Sequence, residues 1–241
     1  MKNYIACEYL KIRKWHLELL IIVMTILSIG LAHSITEKII DAGTVRGTEG
    51  ELTYAFATNI FFAFGLPLMT IIFLVMYVNI ENTNGGWKLL RITGGDIRIM
   101  TVAKLLVSYI YLVASYIFFL LVFWGFNLVW NLNINYKSMM EQLGYSMIGS
   151  FINITFLFVL FHFIRSVVIN SLLGIVGLVI NNVIVQTKYW KYFFTTYYYY
   201  INITDGSLKL IIMLVSILGS LMLFCVAICL AKKIGKDTEN E

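Results

Sequence analysis

The chain has 241 residues, 60% of them apolar and 13% charged, with a formal net charge of +5 and a mean hydropathy of +0.84. Soluble domains carry about 25% charged and about 45–50% apolar residues, so this composition excludes a water-soluble fold and places the chain in a bilayer. Several spans of about 20 residues each leave no room for a soluble catalytic domain, so whatever drives the protein is supplied from elsewhere.

At the N-terminus, Ile5, Tyr9, Ile12 and Trp15 recur at helical spacing, while Glu8, Lys11, Lys14 and Glu18 recur on another face. This pattern predicts an amphipathic helix with a basic polar face, lying along the inner headgroup plane. Six apolar stretches follow, at Leu17–Ile35, Ala57–Val78, Val102–Phe126, Tyr145–Ile164, Val167–Val185 and Leu208–Ala231. Each is long enough to cross as a helix and nearly free of charge. No segments of strict apolar/polar alternation recur, which argues against a lipid-facing barrel. The fold class expected is therefore all-α integral membrane with six transmembrane helices. The first stretch is too long for a signal-peptide core and lacks a small-residue exit, so it reads as an uncleaved anchor.

Between the first two spans, His33 to Tyr54 reads as an acidic outer loop (Glu37, Asp41, Glu49, Glu51) that attracts a cationic peptide weakly. Pro67, the one proline, should kink the second span. The stretch after it, Glu81 to Lys104, predicts a short helix over Trp87 to Ile92. Gly85 and Gly86 break the chain before it, and Gly94 ends it in a left-handed cap. Asp96 then caps the start of the third span. A short basic amphipathic helix between two spans, with no energy-coupling domain in the chain, reads as a docking element; the alternative is a solvated linker. Only Arg165 and Ser166 separate the fourth and fifth spans, which form either a tight hairpin or one long hydrophobic block. An aromatic stretch, Lys188 to Ser207, holds Trp190 and the run Tyr197, Tyr198, Tyr199, Tyr200. It reads either as an anchor at headgroup level or as an exit gate.

An even number of spans puts both termini on one side. That side holds 12 of the 18 Lys and Arg residues, and the other holds 6, so the positive-inside rule makes both termini cytoplasmic. The positive charge is thus a topology signal, and no basic patch points to nucleic acid.

Motifs for chemistry are missing. There is no phosphate-binding loop, no His-Glu-x-x-His and no Gly-x-Ser-x-Gly. All acids fall outside the spans or at their ends, and His162 is the one ionisable group deep in a span. A polar interhelical contact is the better reading of His162 than a proton relay. Asn59, Asn153, Ser108, Ser115, Ser150, Asn181 and Asn182 supply the remaining span polarity, as helix–helix contacts or a weakly polar cavity lining. Cys225 and Cys229, one turn apart in the last span, read as packing residues rather than a thiol pair or metal site.

Glu81-x₄-Gly86-Trp87-Lys88-Leu89-Leu90-Arg91, followed by a small-residue turn and by Arg98-x₅-Lys104 at the opening of the third span, resembles the loop of ABC-2 type ABC transporter permeases. Glu8, Lys11 and Lys14 before the first span resemble that family's elbow helix. The chain departs from the family in having Thr93-Gly94-Gly95-Asp96 where a proline-containing turn is common. In size and in its Ile/Phe/Tyr/Asn-rich character it is most similar to lantibiotic-immunity permease subunits of low-GC Gram-positive bacteria. The resemblance implies one permease domain over residues 1–241, itself without ATPase activity. ATP and Mg would be bound in a separate ABC ATPase dimer, which is the partner along with a second permease subunit, the same chain or a homologue. It further implies a coupling helix between spans 2 and 3, short re-entrant helices in the aromatic stretch, and an amphipathic antimicrobial peptide as substrate. An ATP-independent carrier or assembly scaffold is the alternative. The lack of intramembrane carboxylates and of an evident inverted repeat counts against it.

Overall fold

A computed structural model describes residues 2–11, 14–43, 48–80, 96–130, 132, 134, 136–164, 166–201 and 206–237. Among them every regular element is helical. Six helical segments are long and apolar enough to cross a membrane: His16–Asp41, Glu49–Asn79, Ile97–Trp130, Tyr136–His162, Val167–Val185 and Gly206–Ala231. These are the first to sixth spans below. A separate N-terminal helix, Lys2–Lys11, precedes them.

All six expected stretches are present, but several run well past their apolar cores. The first span continues to Asp41 and ends on Gly43, whose φ of +62° gives the left-handed turn that releases the chain. The second starts at Glu49, where the Thr48 hydroxyl accepts the Glu51 N–H. The expected acidic outer loop is thus mostly helix. Glu37 and Asp41 ride on one helical end, Glu49 and Glu51 on the next, and His33 lies 3.5 Å from Glu37 and 3.9 Å from Glu49.

The second span is the centre of the molecule: 67% of its most apolar stretch is buried, against 17% for the fifth span and 22% for the sixth. The first, third, fourth and fifth spans pack around it, and the sixth packs mainly on the fourth. Aromatic rings fill much of the interior, with Phe73 stacked on Tyr111 at 4.2 Å and Phe61 against Phe119 at 4.4 Å. Hydrogen bonds tie spans together where lipid offers no alternative partner. Tyr109 pairs with Thr155 and Tyr116 with Ser150, each at 2.6 Å, and the Tyr54 hydroxyl donates to the Met139 carbonyl.

The expected break at Pro67 takes a specific form. Residues Phe61–Gly65 form a π-helical turn, after which the helix resumes at Leu66. Proline has no N–H, so it cannot satisfy the carbonyl four residues before it, which is that of Ala63. The Asn182 side chain on the fifth span donates to that carbonyl at 3.0 Å. In a bilayer a freed backbone group must find such a partner. Replacing Asn182 with Ala should therefore cost about 1–2 kcal/mol. In a Pro67→Ala background the cost should shrink, and a double-mutant cycle on thermal unfolding of the purified protein measures the coupling.

The turn between the fourth and fifth spans settles the hairpin-or-block question as a hairpin. Ser166 caps the fifth span by accepting the Ile169 N–H, and the Asn170 side chain donates back to the Phe161 and Ile164 carbonyls. Cys225 and Cys229 are exposed. The sixth span turns that stripe outward, so their packing is not in the interior of this chain.

Candidate functional site

Where the second span ends and the third begins, the described residues are organised around one buried ammonium. The N-terminal helix packs on the start of the third span. Its Glu8 carboxylate, only 2% exposed, takes the Lys11 ammonium on Oε1 at 2.5 Å and lies 3.4 Å through Oε2 from Lys104 Nζ. Lys104 is fully buried. It donates to the Tyr77 carbonyl at 3.2 Å, and its Nζ sits 4.3 Å from the Tyr77 ring centroid. Tyr77 stands near the end of the second span and Lys104 near the start of the third. Three elements therefore meet at one charge.

A buried charge is tolerable only when paired and hydrogen-bonded. Lys104 meets that condition through Glu8, a backbone carbonyl and an aromatic face. Lys11, about one-third exposed, leads the remaining positive charge toward water. Asp96 opens the third span as expected, its side chain accepting the Arg98 N–H at 2.9 Å. Residues 81–95 leave the second span and return to the third, so chain connectivity hangs both ends of that stretch from this joint. The group ties the N-terminal helix to the second and third spans.

The aromatic stretch occupies the opposite end of the bundle. It folds as two 3₁₀ turns, Lys188–Tyr192 and Phe194–Thr196, and a single helical turn, Tyr197–Tyr200. Tyr197 and Tyr198 are buried, and Tyr198 lies against the second span with its ring 6.5 Å from that of Phe62. The Asn181 side chain donates to the Tyr198 hydroxyl at 2.9 Å. Burial pushes that phenol's pKa above its ordinary value, against the lowering effect of the bond from Asn181. Tyr199 donates to Asn59 Oδ1, Tyr200 to the Val185 carbonyl, and Tyr197 to the Lys191 carbonyl. Trp190 stacks on Tyr200 with centroids 3.9 Å apart. The segment is held tightly because Gly149 of the fourth span has no side chain. A Cβ there would fall 2.7 Å from the Tyr198 Cα and 2.8 Å from its N.

A family model for ABC-2 family transporter protein matches residues 4–188, well over half of the chain. The chain belongs to the ABC-2 transporter family. It is a multi-pass membrane protein and a permease subunit of an ABC transporter, a transport component that is not itself catalytic. Members of the family generally work with an ABC ATPase. No curated protein and no solved structure matches the chain.

In this ABC-2 permease the structure brings together Glu8, Lys11 and Lys104. Lys14 begins the first-span helix. Glu81, Gly86, Trp87, Lys88, Leu89, Leu90 and Arg91 lie outside the described residues. Two readings need correction. Glu8, read as part of the polar face of that helix, is buried and turned inward onto Lys104. His162 is not the one ionisable group buried within a span, because Lys104, near the start of the third span, is fully buried as well. His162 itself is 7% exposed and stacks on Phe158. Tyr77 was missed altogether. The signal that could have found it is a tyrosine at the end of one span facing a lysine at the start of the next.

Proposed function

We propose that this chain is the membrane path of an ATP-driven exporter, with both termini in the cytoplasm and two permease subunits seated on a dimer of soluble ABC ATPases. The stretch Glu81 to Arg91 docks into the ATPase, with Lys88, Leu89, Leu90 and Arg91 as the contact. The N-terminal helix acts as an elbow. The observation that carries this reading is the buried Lys104, which joins Glu8, the end of the second span and the start of the third. A push on the stretch between those spans reaches three elements at once. ATP and Mg belong to the partner. The substrate class that fits is a lantibiotic or similar amphipathic antimicrobial peptide, expelled for self-protection past the aromatic segment.

Gentle-detergent purification should recover a soluble ATPase with a phosphate-binding loop in roughly stoichiometric amount. Charge reversal at Lys88 and Arg91 combined with Leu89→Asp should abolish that recovery. Retention of the ATPase by the triple variant would show the docking site to be misplaced. Cells carrying the intact complex should also tolerate more lantibiotic than cells with an inactive ATPase, and equal sensitivity would remove the peptide reading while leaving the transporter.

A further inference from the structure

The 3₁₀ turn that follows the fifth span has three distinct sides. A 3₁₀ helix takes three residues per turn with a rise of about 2 Å each, so side chains at i and i+3 stand one above the other, about 6 Å apart. Over Lys188–Tyr192 this sets Lys188 in line with Lys191 and Tyr189 in line with Tyr192. Trp190 takes the third side and turns in, where it stacks on Tyr200. Hydrogen bonds at both ends hold this order. The Thr187 hydroxyl accepts the Tyr189 N–H at the start, and the Trp190 carbonyl accepts the Phe193 N–H and the Thr196 hydroxyl at the end.

Both outer sides are open. Tyr189 is 57% exposed, Tyr192 80% and Phe193 44%, and Lys188 and Lys191 are exposed as well. Lys188 Nζ lies 5.8 Å from the Tyr189 ring centroid. Among the described residues neither ammonium has a carboxylate partner, and no Asp or Glu occurs in the chain between Glu141 and Asp205. The turn starts just past Val185, where the fifth span ends, so it stands where hydrocarbon gives way to headgroups. Exposed rings at that depth enter the acyl boundary, and ammoniums beside them attract anionic headgroups.

We propose that the Lys188–Tyr192 turn is a recognition surface for an anionic phospholipid, with the phosphate between the Lys188 and Lys191 ammoniums and the acyl chains against Tyr189, Tyr192 and Phe193. A zwitterionic lipid carries the same phosphate but brings a cation of its own, which the two lysines repel. The bound lipid fastens the aromatic segment to the bilayer from outside, as Gly149 seats it from within. Binding here stands independently of the transport reading, since it needs neither ATP nor a docked partner.

The test uses the full chain in lipid nanodiscs without ATP. The probes are phosphatidylglycerol and phosphatidylcholine with identical diazirine-bearing chains, and mass spectrometry maps the photolabelled peptides. Each lysine beside an anionic headgroup is worth about a fivefold preference. Labelling of residues 188–193 should therefore favour phosphatidylglycerol by about 25-fold at low salt, and by less as salt rises. Lys188→Gln with Lys191→Gln should bring the two probes level, whereas Lys188→Arg with Lys191→Arg, which keeps the charge, should keep the preference. Tyr189→Ala with Tyr192→Ala should lower labelling by both probes. The proposal is overturned by equal labelling of the parent, by a preference that survives the glutamine pair or is lost in the arginine pair, or by labelling unchanged in the alanine pair. It is also overturned if soluble glycerol 3-phosphate at constant ionic strength abolishes the preference, which would assign the lysines to a dissolved anion. None of these outcomes bears on ATPase recovery, so this inference and the exporter reading fail separately.

Discussion

Glu8→Gln should destabilise the purified permease by about 3–5 kcal/mol, the usual cost of leaving one member of a buried ion pair without its partner. The substitution keeps the size of the side chain but removes its charge and turns one of its two acceptor oxygens into a donor, so the loss reports the carboxylate. Lys104 would stay fully buried, in contact with the Tyr77 carbonyl and ring but without the carboxylate charge. Lys104→Met should cost less, because Glu8 keeps Lys11 at 2.5 Å. The double variant should recover part of the Glu8→Gln loss, since neither charge is then orphaned. Thermal unfolding of the four proteins in one detergent checks the order. If Glu8→Gln proves as stable as the parent, the carboxylate is not what holds the N-terminal helix on the third span. If the reading of this joint as a force path is right, the double variant will fold well yet stimulate less ATP hydrolysis in the complex.

Gly149→Ala should release the aromatic segment. By helix propensity alone this change favours the fourth span by about 1 kcal/mol. The added methyl, however, would fall 2.7 Å from backbone at Tyr198. Backbone cannot rotate away as a side-chain tip can, and overpacking of this kind costs about 1–3 kcal/mol. The expected result is a local one. Amide hydrogen exchange over residues 188–201 should speed up, while the cores of the second and third spans stay protected. Unchanged exchange in that window would mean the segment is anchored elsewhere, by the Asn59–Tyr199 or Trp190–Tyr200 contacts.

The six spans were legible because length and hydropathy alone decide them, and the helices overran their apolar cores because a helix already formed continues through polar residues until a cap such as Gly43 stops it. The joint at Lys104 was only half legible. A lysine close to a span end ordinarily extends its ammonium to water. Its burial here depends on a carboxylate from the far N-terminus, a contact that no local pattern encodes. Asn182 shows the same limit: Pro67 announces a carbonyl in need of a donor, but which of the scattered asparagines answers depends on how the fifth span docks. The tyrosine run was legible only in part, for a related reason. Composition reads four consecutive tyrosines as an interfacial belt, whereas the space left by one glycine turns the first two inward.

The fifth span carries a consequence of its own. At 19 residues it is about 28 Å long, while the 34-residue third span reaches about 51 Å. A hydrocarbon layer of about 30 Å leaves the short helix nothing to spare. Such a helix has little room to tilt unless the bilayer thins around it, whereas the long helix tilts or protrudes. The short helix thus acts as a gauge that sets the depth of the whole permease. Because it also holds Asn181 and Asn182, a thicker or thinner bilayer will bear on the proline break and on the Tyr198 contact.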